Sequence, residues 1–189
     1  AVGAVYRNAD PSDIVVTAAG GLVGEVVQIW KPKQLNTFET EWGFSCMGYE
    51  ISGALGIKMA KPKQDVIVFV GDGSYLLANS DIYSSVLYDK KLIIVVCDNG
   101  GHMVINRLQL AKGGKEYICN LRAARATNLQ FVDFEAHAKS MGANAETVTS
   151  TSELEAAFLR AKKSDKTYVI SLKTDGYEWL DGSAFWESP

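Results

Sequence analysis

Runs of valine and isoleucine recur along the chain without polar alternation: Ile14–Ala18 (IVVTA), Val66–Val70 (VIVFV) and Leu92–Cys97 (LIIVVC). Weaker β-type runs lie at Leu35–Thr40, Ala143–Val148 and Tyr168–Lys173. Breakers bound them: Asp10-Pro11-Ser12-Asp13 before the first, Lys31-Pro32-Lys33 and Lys61-Pro62-Lys63 between, and Gly71 and Asp98-Asn99-Gly100-Gly101 after the middle pair. Continuous apolar runs predict strands buried on both faces, as in a parallel sheet covered by helices. The intervening segments Gly48–Ala60, Asn79–Leu87, Phe131–Met141 and Thr151–Lys163 read as helices. The last places Leu154, Ala157, Phe158 and Ala161 on one face behind a capping-box-like start. Alternating strands and helices predict a doubly wound α/β domain with a mostly parallel sheet of about six strands and helices on both faces.

Composition fits a single domain over residues 1–189: 47% of residues are hydrophobic, 22% are charged, and there are 4 prolines. A chain of this length buries roughly 70% of its unfolded surface and needs no disulfide staple. The net charge of −3 argues against nucleic acid or an anionic membrane as a partner. No apolar run approaches the roughly 18–20 residues that span a bilayer. Cys46, Cys97 and Cys119 have no CxxC spacing and read as reduced thiols of a cytoplasmic protein, Cys46 and Cys97 as small core residues. The chain begins at Ala1, without a methionine, so the expectation is a segment of a longer protein. Lys112–Ala126 reads either as a mobile loop ordered by a ligand or partner, or as an irregular surface connection.

In open α/β sheets ligands bind beyond the carboxyl ends of the strands. Three glycine-bearing turns fall there: Ala18-Ala19-Gly20-Gly21, Gly71-Asp72-Gly73-Ser74 and Asp98-Asn99-Gly100-Gly101. No GxxxxGK[ST] loop is present, and a GxGxxG fingerprint begun at Gly71 fails at Leu76. An aspartate between the two glycines would repel a pyrophosphate unless a divalent cation lay between them. Asn99, one helix and one strand further on, ends the adjacent strand in this reading. Asp72, Asn99 and the Gly101 carbonyl, with two diphosphate oxygens and a water, would complete the octahedron that magnesium requires.

The segment GDGSYLLANSDIYSSVLYDKKLIIVVCDNGG resembles the cofactor motif of thiamine-diphosphate enzymes, with Asp98 standing where the family usually has its first asparagine. Gly43-Phe44-Ser45-Cys46-Met47-Gly48-Tyr49 resembles the stretch beneath the thiamine. Over most of residues 14–110 the chain is similar to the C-terminal, pyrophosphate-binding domain of the acetolactate-synthase-like group. The resemblance implies thiamine diphosphate and Mg2+ as cofactors and Asp72, Asn99 and Gly101 as metal ligands. It also implies Gly20, Gly21, Gly71, Gly73 and Ser74 about the diphosphate. The carbonyl of Ser45, where the family often has glycine, would accept from the 4′-amino group. Met47 would be the side chain that bends the cofactor; alone it reads more often as core, and its neighbours make it the wedge.

His102 would face the substrate or donate a proton, or else be an exposed loop residue; no other catalytic residue is expected here. His137 reads as structural or surface. Trp179 and Trp186 would fold over the site or dock on a partner domain. Three stretches, EWGFSCMGYEISGALGIKMA, VGDGSYLLANSDI and YVISLKTDGYEWLDGSAFWE, resemble those members that hydrolytically open a cyclic polyhydroxylated dione in inositol degradation. In the family a glutamate that activates the cofactor lies on a separate pyrimidine-binding domain, usually of a neighbouring subunit. The expectation is therefore a homo-oligomeric parent, with the isolated chain inactive. The alternatives are the small subunit of a two-chain 2-oxoacid decarboxylase and a non-catalytic cofactor-binding module. A nicotinamide-binding module is disfavoured by Asp72 and the incomplete glycine pattern.

Overall fold

In a computed structural model, residues 1–180 are described. Six strands form one sheet: β1 (Ile14–Thr17), β2 (Phe38–Thr40), β3 (Val66–Gly71), β4 (Ile93–Asp98), β5 (Asn144–Val148) and β6 (Tyr168–Lys173). Every pairing is parallel and the order is β2-β1-β3-β4-β6-β5. All six expected strands are present. The second is shorter than Leu35–Thr40 because Leu35 points to solvent at 92% exposure and only Phe38–Thr40 pairs with β1.

Eight α-helices surround the sheet among the described residues: α1 (Val2–Asn8), α2 (Gly21–Ile29), α3 (Tyr49–Ala60), α4 (Asp72–Leu77), α5 (Asp81–Leu87), α6 (Met103–Ala111), α7 (Phe134–Ser140) and α8 (Thr151–Lys163). The unalternating strands bury side chains on both faces, and each face has its own core. On one side Val15, Ile67, Phe69, Ile93, Val95 and Ile170 meet α1, α2 and α8, with Val5, Trp30 and Phe158 filling the layer. On the other, Ile14, Val16, Val68, Ile94 and Val96 meet α3, α5 and α7 through Ile51, Ala54, Ile82 and Phe134. Ser150 caps α8 by accepting the Glu153 amide at 3.3 Å, while Glu153 accepts the Thr149 amide at 2.8 Å. Asp133 caps α7 through the Ala136 amide, which starts that helix later than the apolar pattern predicts.

After β1 the chain adds β2 on one side and β3 on the other. This reversal opens a crevice beyond the carboxyl ends of β1 and β3, the place where an open α/β sheet receives a ligand. Among the described residues no helix is long and apolar enough to cross a membrane.

Candidate functional site at the carboxyl end of the sheet

A cleft of about 500 Å³ occupies that crevice, and Gly20, Gly21, Ser45, Met47, Gly71, Asp72, Gly73, Ser74, Asn99, Gly101 and His102 all line it. The turns named from sequence thus meet in one place. β3 passes directly into α4 at Asp72, a residue only 4% exposed. One oxygen accepts the Gly73 amide at 2.7 Å; the other accepts the amides of Gly100 at 2.9 Å and Gly101 at 2.8 Å. Burial, with Asp98 nearby adding repulsion, outweighs those three amides and pushes the Asp72 carboxyl up to about 6. Among the described residues no basic side chain pairs with this buried carboxylate, an environment that a cation would improve.

Asn99 follows the end of β4. Its Oδ1 is buried and has no hydrogen-bond partner among the described residues. Buried acceptors are nearly always paired, so an orphan on a residue that lines the cleft marks a place for a ligand. Gly101 has φ of +140°, and a Cβ there would lie 2.3 Å from the Cys119 carbonyl oxygen, so no other residue fits. Among the described residues no three His, Cys, Asp or Glu side chains cluster as a metal site. Where the ends of β3 and β4 meet, Asp72 offers a carboxylate, Asn99 an amide oxygen and Gly101 its backbone. That donor set suits a hard cation completed by phosphate and water, not zinc or a thiolate metal.

His102 is exposed, and its ring lies over Gly73, where a Cβ would come within 2.5 Å of Cε1. The amino ends of α2 and α6, each nine residues long, open on the cleft at Gly21 and Met103. Free amides at such ends favour an anion. Ser45 has φ of 51°, a conformation that glycine adopts more readily. Met47 is 41% exposed on the cleft wall and is not a core residue. Cys97 is buried as expected, and burial pushes its thiol up to about 12. Cys46, in contrast, is exposed: its loop stands on the rim of the cleft, held by Glu41 accepting the Cys46 amide at 2.8 Å. His137 is structural, with Nδ1 3.0 Å from the hydroxyl of buried Tyr75.

Two features escape the sequence reading. Glu50, 1% exposed at the start of α3, ties the turn after β1 to α4. Its only signal was an acid placed beside Ile51 and Ala54 on an apolar face. Residues 112–133 do not simply wander either. Asn120 bridges to Gly101, the Leu121 amide donates to the Gly100 carbonyl at 3.0 Å, and Leu121–Ala123 forms a 3-10 turn. Glu116 accepts from Asn106, Asn120 and the Tyr177 hydroxyl, joining this loop to the segment after β6. That segment lines the cleft from Thr174 to Trp179, and the Trp179 ring stacks 4.1 Å from the Arg107 guanidinium. Trp186 lies outside the described residues.

Residues 18–172 match the family described as thiamine pyrophosphate enzyme, C-terminal TPP binding domain, and the chain belongs to that family. Curated relatives bear the name 3D-(3,5/4)-trihydroxycyclohexane-1,2-dione hydrolase. One from Halalkalibacterium halodurans is 38% identical over 92% of this chain and 28% of its own. One from Lacticaseibacillus casei is 39% identical over 98% of this chain and 29% of its own. The chain therefore spans less than a third of the length of these relatives. A thiamine diphosphate-dependent 4-hydroxybenzoylformate decarboxylase from Rhodococcus jostii shares the fold, with a TM-score of 0.79 over 92% of this chain and 32% of that one, at 18% identity.

Proposed function

We propose that this chain is the diphosphate- and magnesium-binding half of a thiamine-diphosphate-dependent enzyme that cleaves a carbon–carbon bond next to a carbonyl. The observation that carries the metal is the orphaned Oδ1 of Asn99 beside the buried carboxylate of Asp72. In this reading Asp72, Asn99 and the Gly101 carbonyl hold Mg2+. Gly20, Gly21, Gly71, Gly73, the backbone of Ser74 and the loop at His102 surround the diphosphate. Met47 and the Ser45 carbonyl support the thiamine. When bound, the cofactor supplies a carbon nucleophile and an electron sink for the carbanion that cleavage leaves. The chain's own residues bind and orient it, and the segment Thr174–Trp179 narrows the access of water.

For the whole protein we infer hydrolytic ring opening of trihydroxycyclohexane-1,2-dione in myo-inositol degradation. Relatives of that name at 36–39% identity support this choice over a 2-oxoacid decarboxylase. The relatives' greater length supports a parent with a pyrimidine-binding domain, met within one subunit or across a homo-oligomer, that carries the activating glutamate. The test is turnover of the cyclic dione by the full-length protein. Ring opening dependent on both cofactor and magnesium supports the reading. Decarboxylation of 2-oxoacids without ring opening refutes it. The isolated 189-residue chain is expected to turn over neither.

A further inference from the structure

Glu50 is a buried acid that, among the described residues, is held by neutral donors and no cation. Oε1 accepts the Ala19 amide at 3.2 Å and Oε2 accepts the Gly48 amide at 2.9 Å. The Ser74 hydroxyl donates to the pair, 2.9 Å from Oε1 and 2.8 Å from Oε2, and its own oxygen accepts the Gly48 amide at 2.8 Å. The three donors come from three elements. Ala19 precedes Gly20 and Gly21 after β1, Gly48 adjoins Met47 at the head of α3, and Ser74 lies in the first turn of α4 beside Asp72 and Gly73.

The Ser74 hydroxyl has one proton, and that proton is directed at Glu50, away from the cleft. A serine in a glycine-bearing turn beside a diphosphate would ordinarily be taken as a direct phosphate donor. Here its oxygen is 4% exposed as a residue and committed on both its donor and acceptor sides. We propose that Glu50 is a positioning residue, which uses the Ser74 hydroxyl and the Ala19 and Gly48 amides to set the gap between the Met47 wall and the diphosphate turns. The cofactor must satisfy both sides of that gap at once. Glu50 thereby governs cofactor affinity without touching the cofactor, and Ser74 contributes its backbone and not its hydroxyl. The inference rests on the cofactor assignment proposed above.

The test uses the full-length protein with Glu50→Gln, Ser74→Ala and the double variant. Thiamine diphosphate affinity in the presence of Mg2+ is read by fluorescence quenching, and the substrate KM and the melting point without cofactor are measured alongside. Glu50→Gln keeps the shape but turns one acceptor into a donor facing a backbone N–H, so cofactor affinity should fall by about tenfold or more while the substrate KM at saturating cofactor stays within about twofold. Ser74→Ala should weaken the cofactor by less than about fivefold, and the double variant should match Glu50→Gln alone. Unchanged affinity in folded Glu50→Gln overturns the inference. So does a loss of about tenfold or more in Ser74→Ala, the mark of a direct bond to a charged phosphate. That second arm decides the matter even if Glu50→Gln does not fold. A wild-type protein that binds no thiamine diphosphate would instead refute the cofactor assignment itself.

Discussion

The carboxylate of Asp72, where β3 ends, accepts the backbone N–H of Gly101, beyond the end of β4, at 2.8 Å. Two adjacent strand ends are thus joined through an acid and an amide before any cation is considered. The same carboxylate holds Gly100, and from the outside Asn120 bridges to Gly101. The loop that carries Asn99 is therefore clamped on two sides, and the amide oxygen of Asn99 is buried with no hydrogen-bond partner among the described residues.

Gly101→Ala should disturb that clamp. Its Cβ would press on the Cys119 carbonyl from a backbone conformation that L-residues rarely adopt. We expect a stability loss of about 1–3 kcal/mol in urea unfolding, together with weaker metal-dependent cofactor binding.

Asn99→Ala should separate stability from function. The variant removes a buried acceptor that has no partner among the described residues, so the cofactor-free protein should lose no more than about 1 kcal/mol and can gain. Magnesium-dependent binding of thiamine diphosphate should fall by about tenfold or more. A large loss of stability with intact binding would show that Asn99 is structural.

Tyr177→Phe removes one hydroxyl that donates to Glu116 at 2.6 Å and accepts from Asn120 at 2.7 Å. The cost should be about 0.5–1.5 kcal/mol, localised to the loop. Hydrogen exchange should show faster exchange of the Leu121 amide, which donates to Gly100, with the sheet amides unchanged.

Far from the cleft, Arg160 grips Glu146 through Nε and Nη2 at 2.9 and 2.5 Å, and the Tyr168 hydroxyl adds a third bond at 2.5 Å. The Arg160 hydrogen bonds are the largest cause holding the Glu146 carboxyl below its usual value of 4.5. A lowered folded-state value means the stabilisation is fully present above the unfolded value and is lost as pH falls through the folded one. The pair is partly exposed, so Glu146→Gln should cost under about 1 kcal/mol at pH 7. The difference from wild type should shrink below about pH 4.5 in urea titrations at stepped pH.

The sheet was legible because Val66–Val70 and Leu92–Cys97 are apolar at every position, a pattern that only a doubly covered strand explains. The convergence of Asp72, Asn99 and Gly101 was legible for the same reason, since neighbouring parallel strands place their carboxyl ends together. Helices α1, α2, α4 and α6 were not. Gly21, Gly24 and four valine or isoleucine residues weaken α2 as a local signal, and it is a helix because Val23 and Val26 bury against the sheet. The Asp72–Leu77 segment reads as a turn until its helix is seen. The role of Glu50 was not legible because a lone acid on an apolar helix says nothing about its partners: beside the nearby Gly48 amide, they come from 31 residues upstream and 24 downstream. Cys46 was misplaced because a small apolar residue between Ser45 and Met47 carries no sign that its loop forms a rim.

The most direct test is calorimetric titration of thiamine diphosphate into the full-length protein, with and without magnesium, beside an Asp72→Ala variant. We expect binding that requires magnesium and is lost in the variant. Magnesium alone should bind weakly, because Asp72 is the single charged group among the proposed ligands Asp72, Asn99 and Gly101. Thiamine diphosphate binding that is independent of magnesium, or equally tight in Asp72→Ala, would contradict the assignment of this cleft as a metal–diphosphate site.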